Sequence, residues 1–439
     1  MNTLKAKGLK VLVVGGGGRE HALVWKIKQS PRVDEIYCAP GNAGIAQMAQ
    51  CLDIPADDVT ALLTFAWENK IDLTVVGPEA PLAKAIVDTF TNHGLMIFGP
   101  TKAAAEIEGS KAFSKDLMQK YNIPTAAYGV FTEVEPALTF IDDLASRQPT
   151  QSTCPCVVKA DGLAAGKGVI VASSIEEAKD AVRSMLEGNR FGDAGSRVVI
   201  EEFMEGEEVS ILAFTDGDVI VPMVSAQDHK RIFDNDEGPN TGGMGAYSPA
   251  PVYTADLAPI VLEKILKPTI EAMKAEGRPY SGVLYAGLMI TSEGPKVLEY
   301  NARFGDPETQ PVLMRLETDL VDIIEAILTK KLDQIEIKWS EEATVCVVLS
   351  AKGYPDSYEK GQVIQGLDDV LEKVEIFHAG TNLTNGDVVT SGGRVLGITA
   401  KGKDIREAIE LVYRQAEKTT FAGAHYRKDI GRRALERLS

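Results

Sequence analysis

The run Lys296 to Gln310, KVLEYNARFGDPETQ, concentrates side chains that bind metal and phosphate. Alternation along Lys296 to Asn301 predicts a strand with Glu299 and Asn301 on one face and Leu298 and Tyr300 on the other. A carboxylate and an amide carbonyl two residues apart form a hard oxygen pair. Such a pair suits Mg²⁺, which takes its remaining ligands from water and nucleotide phosphates. Arg303 follows where Gly305 and Pro307 end the ladder, so a fixed cation stands beside the metal pair, as phosphoryl transfer requires. Alone, an E-x-N-x-R pattern describes a surface ion pair on a hairpin equally well.

A second concentration of chemistry is Asp161 to Gly168, DGLAAGKG, between predicted strands Cys156 to Ala160 and Val169 to Ala172. Gly162, Gly166 and Gly168 with Lys167, and Lys159 from the preceding strand, suit a lid over a triphosphate; a solvated glycine-rich hairpin is the alternative. The loop is not a Walker A motif. Asp161 stands where the first glycine would be needed, and Gly168 replaces the Ser or Thr after the lysine. Lys111 and Lys115 lie four apart on one face of a helix predicted from Ala103 to Tyr121. The predicted strand Val198 to Met204 carries Glu201 and Glu202. Backbone groups from Glu202 to Met204 could read an adenine edge, with the Glu208 carboxylate on the ribose, although acidic residues at a strand turn are usually solvated. Gln227 to Asp236, QDHKRIFDND, sets a basic centre among acids and leads into the glycine nest NTGGMG, Asn240 to Gly245. A loop of this length is functional or disordered, and its composition favours a substrate loop.

The elements that must position these groups begin with a short strand, Lys10 to Val14, that runs into Gly15 to Gly18, Arg19, Glu20 and a helical run, Ala22 to Lys28. Strand, glycine turn and helix bring backbone N–H groups to a phosphate. A tight turn without ligand reads the same way. A dinucleotide fingerprint would need a third glycine where Glu20 stands, and an acidic end to the second strand, which instead closes as Ala39-Pro40-Gly41. Strands Glu35 to Ala39, Leu73 to Val76 and Met96 to Phe98 likewise end in the turns Pro40-Gly41-Asn42, Gly77-Pro78-Glu79 and Gly99-Pro100. A small parallel sheet is expected, its turns converging on the crevice at the strand carboxyl ends.

A chain of 439 residues exceeds one ordinary core, and about three domains are expected. They are placed at 1–102 (a substrate-binding α/β domain), 103–335 (a catalytic domain with a lid subdomain at about 125–192) and 336–439. The last, with strands Ala343 to Ser350 and Gly393 to Ala400 and a helix Asp404 to Thr419, shows no catalytic constellation and reads as a small α+β domain. No apolar run approaches the ~18 residues of a membrane span, so no membrane partner is expected. Five cysteines without framework spacing fit a reducing, cytoplasmic compartment. Cys154 and Cys156 lack the second pair a zinc site needs. A net charge of −17 argues against a nucleic-acid partner, which would require a basic stripe.

Taken jointly, GGGGREHAL (Gly15 to Leu23), APGNAG (Ala39 to Gly44), VGPEAPL (Val76 to Leu82), GSKAFSK (Gly109 to Lys115), KADGLAAGKGV (Lys159 to Val169), QDHKR (Gln227 to Arg231), GPNTGGMGAYSP (Gly238 to Pro249) and EYNARFGDPETQ (Glu299 to Gln310) resemble the glycinamide ribonucleotide synthetase family of ATP-grasp enzymes. The resemblance runs from Lys10 to the end of the chain. It implies a multidomain α/β and α+β protein with an ATP-grasp fold: an N-terminal biotin-carboxylase-like parallel-sheet domain, a lid, a catalytic domain and a small C-terminal α+β domain. It also implies a reaction of de novo purine biosynthesis. Glycine and ATP would give glycyl phosphate, and 5-phosphoribosylamine would displace phosphate to form an amide. ATP and Mg²⁺ (or Mn²⁺) are implied cofactors, and a monomer acting on small molecules is expected.

By the same resemblance, Lys111 and Lys159 would hold ATP phosphates, with Gly166, Lys167 and Gly168 in the lid. Glu201, the backbone at Phe203 and Met204, and Glu208 would hold adenosine. Glu299 and Asn301 would bind metal, and Arg303 would stabilise the transferring phosphoryl group. Gly17, Gly18, Arg19, Glu20, Asn42 and Glu79 would line the phosphoribosylamine pocket. Asp228, a second catalytic residue, would face glycine and the amine together with Thr241, Gly242 and Gly243. Many ATP-grasp enzymes carry a further metal carboxylate on the preceding strand, whereas Tyr285 to Ile290 (YAGLMI) has none. The alternatives are a carboxylase-type ATP-grasp ligase and a non-catalytic ATP-binding protein; Arg303 and the substrate loop speak against the second.

Overall fold

The computed structural model describes residues 3–147, 156–162, 168–188 and 195–438. Its N-terminal part is a parallel sheet in the order Gln50–Cys51, Val33–Pro40, Leu9–Gly15, Leu73–Val76, Ile97–Phe98. The central strand is apolar and buried, as strands covered on both faces must be. Four of these strands follow the sequence expectation; Gln50–Cys51 adds a short edge. At the carboxyl ends the turns touch: Gly41 N donates to Gly15 O at 3.1 Å and Gly77 N to Val14 O at 3.0 Å. A Cβ on Gly16 would sit 2.5 Å from Gly41 O, so only glycine lets these turns meet.

The helix expected from Ala103 to Tyr121 is two helices, Lys102–Gly109 and Lys111–Lys120. Ser110 is extended between them and its hydroxyl accepts from Phe113 N at 3.1 Å, so an N-cap interrupts what the apolar periodicity ran together. The helical stretch 257–275 contains a π turn, Leu262–Leu266, just before Pro268, which has no N–H to continue the α ladder.

Two antiparallel sheets face each other across the middle of the chain. One is ordered Tyr128–Phe131, Val198–Glu202, Cys156–Ala160, Val169–Val171 and is backed by helices Val134–Arg147 and Ile175–Leu186. The other is ordered Ile220–Pro222, Glu207–Thr215, Gly282–Thr291, Gly294–Asn301. They are joined through an isolated bridge between Thr125 and Val297 and a small apolar cluster of Ala126, Met204, Met289 and Leu298.

A third sheet runs Gln227–Asp228, Gly245–Ser248, Ala343–Ser350, Arg394–Gly402, Val374–His378, packed by helix Ile405–Lys418. Both strands flanking the expected substrate loop therefore belong to the C-terminal sheet. The loop's own hairpin, Arg231–Phe233 with Glu237–Asn240, is gripped from the same side. Buried Arg427 pairs with Asp236 at 3.0 Å and Asp429 at 2.7 Å and donates to Arg231 O at 3.1 Å. Among the described residues, no helix is long and apolar enough to cross a membrane.

Candidate active site

Strand Gly294–Asn301 ends with Glu299 opposite Gly287 and Asn301 opposite Tyr285. The Glu299 carboxylate takes no hydrogen bond from any described residue. Burial opposes its charge, but Lys230, Lys159, Lys111 and Arg303 hold its carboxyl below the usual range. Asn301 Oδ1 accepts from Arg303 Nη2 at 3.0 Å, leaving a second lone pair. Among the described residues, no three His, Cys, Asp or Glu side chains form a metal cage. A carboxylate free of hydrogen bonds beside an amide oxygen, ringed by cations, fits a divalent ion that draws its other ligands from nucleotide phosphates.

Arg303 is clamped. Nη2 pairs with Glu108 at 2.8 Å, Nη1 donates to Phe304 O at 3.3 Å, and Nε lies 3.5 Å from Glu79, too far for a hydrogen bond. Burial disfavours the guanidinium charge, yet Glu108, Glu79 and Glu308 together raise its pKa above the ordinary arginine value. Glu108 was not legible as a site residue.

On one side of this centre lie the lysines. Lys111 Nζ donates to Gly162 O at 2.8 Å, and burial lowers its pKa against the pull of Glu299. Lys159 Nζ donates to Leu298 O at 3.1 Å and pairs with Glu201 at 2.7 Å. Lys115, on the same face as Lys111, pairs with the other oxygen of Glu201 at 2.8 Å and donates to Thr125 Oγ1 at 2.7 Å. Glu201 is thus the buried anion between two lysines. Burial raises its carboxyl pKa, but Lys159 and Lys115 win and hold it below the usual range. Half-buried Phe203 and buried Met204 follow at the strand end, beside the apolar cluster between the sheets. The Glu208 carboxylate is bound by Lys230. Gly168 O accepts from Ala160 N at 2.8 Å; Gly166 and Lys167 lie outside the described residues.

On the other side the glycine turns close in. Gly17 N donates to Glu20 Oε2 at 2.6 Å, Arg19 Nε donates to Glu20 Oε1 at 2.6 Å, and Arg19 Nη1 reaches Phe304 O at 3.1 Å, tying the first turn to the Arg303 segment. Gly18 faces Gln310 and Asp306, and buried Gln310 Oε1 has no hydrogen-bond partner among the described residues. Asn42 is spoken for. Its Nδ2 donates to Gly16 O and His378 O at 2.9 and 2.8 Å, and its Oδ1 accepts from Gly44 N and Ile45 N, both at 3.0 Å. It shapes the pocket through backbone geometry, with no side-chain group left for a substrate.

The loop 227–245 completes the ring. Thr241 Oγ1 donates to Lys230 O at 2.8 Å and accepts from Gly243 N at 3.0 Å. Gly243, at φ +111°, lies where a Cβ would meet Pro307 Cδ at 2.4 Å, so the loop presses directly on the Asp306-Pro307 turn. Arg394, from a region that showed no site in sequence, binds the two together. Nη1 donates to Gly242 O at 2.7 Å and Asp306 O at 2.9 Å, and Nη2 pairs with the Asp306 carboxylate at 3.1 Å. Asp228 is buried under the loop. Burial pushes its carboxyl pKa up to about 7, against the pull of Lys230 and with help from Glu308, Glu208 and Glu299. Lys230 is held protonated by Glu208, Asp228 and Glu299 despite burial.

The comparisons account for all three regions. Models of the phosphoribosylglycinamide synthetase N domain, ATP-grasp (A) domain and C domain match residues 9–108, 109–309 and 344–433. The phosphoribosylamine–glycine ligase of Pseudomonas aeruginosa is 56% identical over 434 residues, covering 98% of this chain and 99% of that protein. The enzyme of the same name from Escherichia coli K12 is 54% identical over 436 residues, with the same coverage. The chain belongs to the phosphoribosylglycinamide synthetase family.

The family's architecture is also the one seen here. The crystal structure of phosphoribosylamine–glycine ligase from Thermotoga maritima aligns with a TM-score of 0.83 at 33% identity, covering 96% of this chain and 100% of that one. A biotin carboxylase domain of 2-oxoglutarate carboxylase from Hydrogenobacter thermophilus aligns with a TM-score of 0.73 at 15% identity, covering 97% and 92%. That second likeness establishes the shared ATP-grasp fold, with its biotin-carboxylase-like parallel sheet, and nothing about substrate. Glu108, Lys115, Lys230, Glu308 and Arg394 are groups around this candidate site that sequence reasoning passed over or left without a role. Lys115 carried a signal in its four-residue spacing from Lys111, and Lys230 and Glu308 lie inside the runs Gln227 to Arg231 and Glu299 to Gln310, whereas Glu108 and Arg394 carried none.

Proposed function

We propose that this chain is the ATP-dependent ligase that joins glycine to 5-phospho-D-ribosylamine through glycyl phosphate, giving glycinamide ribonucleotide, ADP and phosphate in de novo purine biosynthesis. The observation that carries this reading is the convergence at Arg303 of a metal-fitting pair and lysines on one side and the glycine turns and substrate loop on the other, in a chain matched end to end by ligases of that name. ATP and a divalent ion belong to the family; we take the ion to be Mg²⁺, held by Glu299 and Asn301. When bound, it neutralises phosphate charge and polarises the transferring group.

The chain's own residues act as follows. Lys111 and Lys159 hold phosphate oxygens, and Gly166, Lys167 and Gly168 belong to the same ATP site; Phe203, Met204 and Glu208 surround adenosine, while Glu201, its carboxylate sealed between Lys115 and Lys159, serves that site by fixing Lys159. A glycine carboxylate oxygen bonds to the γ-phosphorus as the bond to ADP breaks, and Arg303 stabilises the charge that builds there. An acyl phosphate is needed because a free carboxylate is a poor electrophile towards an amine. Gly17, Gly18, Arg19, Glu20, Asn42 and Glu79 form the phosphoribosylamine pocket, and Thr241, Gly242 and Gly243 orient glycine. The amine nitrogen then bonds to the acyl carbon, phosphate leaves, and Asp228 takes the proton the amine gives up.

Phosphate release from ATP in the presence of glycine and freshly made phosphoribosylamine is expected, and omission of either substrate is expected to abolish it. Turnover with bicarbonate and none with the two substrates would overturn the assignment in favour of a carboxylase-type ligase. A base must be ionised to work, and burial pushes the Asp228 carboxyl up to about 7. The rate with limiting amine is therefore expected to fall about tenfold for each pH unit below that point. Asp228→Asn should cost roughly 100-fold and abolish this acidic limb; a limb that persists in the variant assigns the proton transfer elsewhere.

A further inference from the structure

Glu108 lies in the last turn of helix Lys102–Gly109, where the helix dipole disfavours an anion, and its side chain is only 8% exposed. Neither its position nor its burial suits a carboxylate. What keeps it there is the far end of the strand that carries the candidate metal pair. Glu108 Oε2 accepts from Ala302 N at 2.7 Å, and Oε1 pairs with Arg303 Nη2 at 2.8 Å. The same Nη2 donates to Asn301 Oδ1 at 3.0 Å. One carboxylate thus holds Ala302 and Arg303 directly and reaches Asn301 through the guanidinium, and Asn301 and Arg303 touch the reacting groups in the reading above.

We propose that Glu108 is a positioning residue, which fixes the Arg303 guanidinium relative to Glu299 and Asn301 by gripping the intervening backbone and the guanidinium at once. Glu79 differs: it is one-third exposed in the cleft and misses hydrogen-bonding distance to Nε, so it cannot hold the arginine by itself. The inference rests on the phosphoryl-transfer role given to Arg303.

Glu108→Ala is expected to lower kcat about 100-fold with KM for ATP changed by less than about twofold, the pattern of a misplaced catalytic group. Glu108→Gln keeps the packing but can accept from only one of the two donors, so a loss of about tenfold is expected. Because Glu108 acts through Arg303, adding Glu108→Ala to Arg303→Ala should cost nothing more. A further tenfold loss in the double variant, or wild-type kcat in Glu108→Ala, would overturn the proposal. Crystal structures of both Glu108 variants supply a readout independent of turnover. The guanidinium should leave Asn301 Oδ1 in the alanine variant and keep at least one of its contacts in the glutamine variant. An unmoved Arg303 in Glu108→Ala overturns the positioning role. Absence of ligase turnover in the wild type would instead overturn the proposed reaction while leaving this crystallographic test decisive.

Discussion

Arg303→Ala is expected to lower turnover by at least about two orders of magnitude while leaving ATP affinity nearly intact. In the reading proposed above, Lys111 and Lys159 hold the nucleotide and the guanidinium does not. Its value lies in charge placed before the reaction begins, in a site where Glu108, Asn301 and Phe304 O leave it no freedom to reorganise. Arg303→Lys should rescue little. A single ammonium cannot contact Glu108, Asn301 and Phe304 O in the plane that the guanidinium fork occupies. Steady-state kinetics with ATP varied would decide, and either variant turning over at the wild-type rate would remove Arg303 from the chemistry.

The largest expected loss of stability comes from Glu201→Ala. The wild-type carboxylate lies between Lys115 and Lys159 with all three side chains buried, and breaking such a pair from one side costs about 3 to 5 kcal/mol because the remaining charge is uncompensated. Here two ammonium groups would remain. Burial already lowers the Lys115 pKa to about 8 with Glu201 present. A lysine whose folded pKa is depressed favours the folded state most at high pH and loses that contribution as pH falls through the folded value. The deficit in Glu201→Ala should therefore shrink as pH rises above neutrality. Hydrogen exchange in strands Val198–Glu202 and Cys156–Ala160 reads this locally. Unchanged protection there would mean that the pairs of Glu201 with Lys115 and Lys159 are not what holds these two strands in place.

What could be read from the sequence was local. Strands that end in Gly or Pro turns, the alternation that puts Glu299 and Asn301 on one face, and the glycine nest at Asn240 to Gly245 all follow from periods of two and from backbone sterics. The break at Ser110 was also local, since Gly109-Ser110 is a stop followed by an N-cap, but the apolar pattern on either side masked it. Glu108 and Arg394 could not be found this way. Their partners lie 194 and 152 positions along the chain, at Ala302 and Gly242, and nothing in a helix-ending Glu or a strand-opening Arg announces such a contact. Asn42 shows the converse. Its place in a motif is legible, but only the structure reveals that every hydrogen-bonding group of its amide is already used by the protein.

The pairing of Gly245–Ser248 with Ala343–Ser350 has a consequence for exchanging parts between ATP-grasp enzymes. A chimera joined just ahead of Ala343 would leave Gly245–Ser248 as a bare edge, with its main-chain groups offered to any strand that came near. It would also remove Arg394 and Arg427, which brace the loop from outside. The transferable cassette is therefore discontinuous in sequence, comprising 227–248 together with the C-terminal strands, and a crossover that respects the linear order of the chain cuts through it.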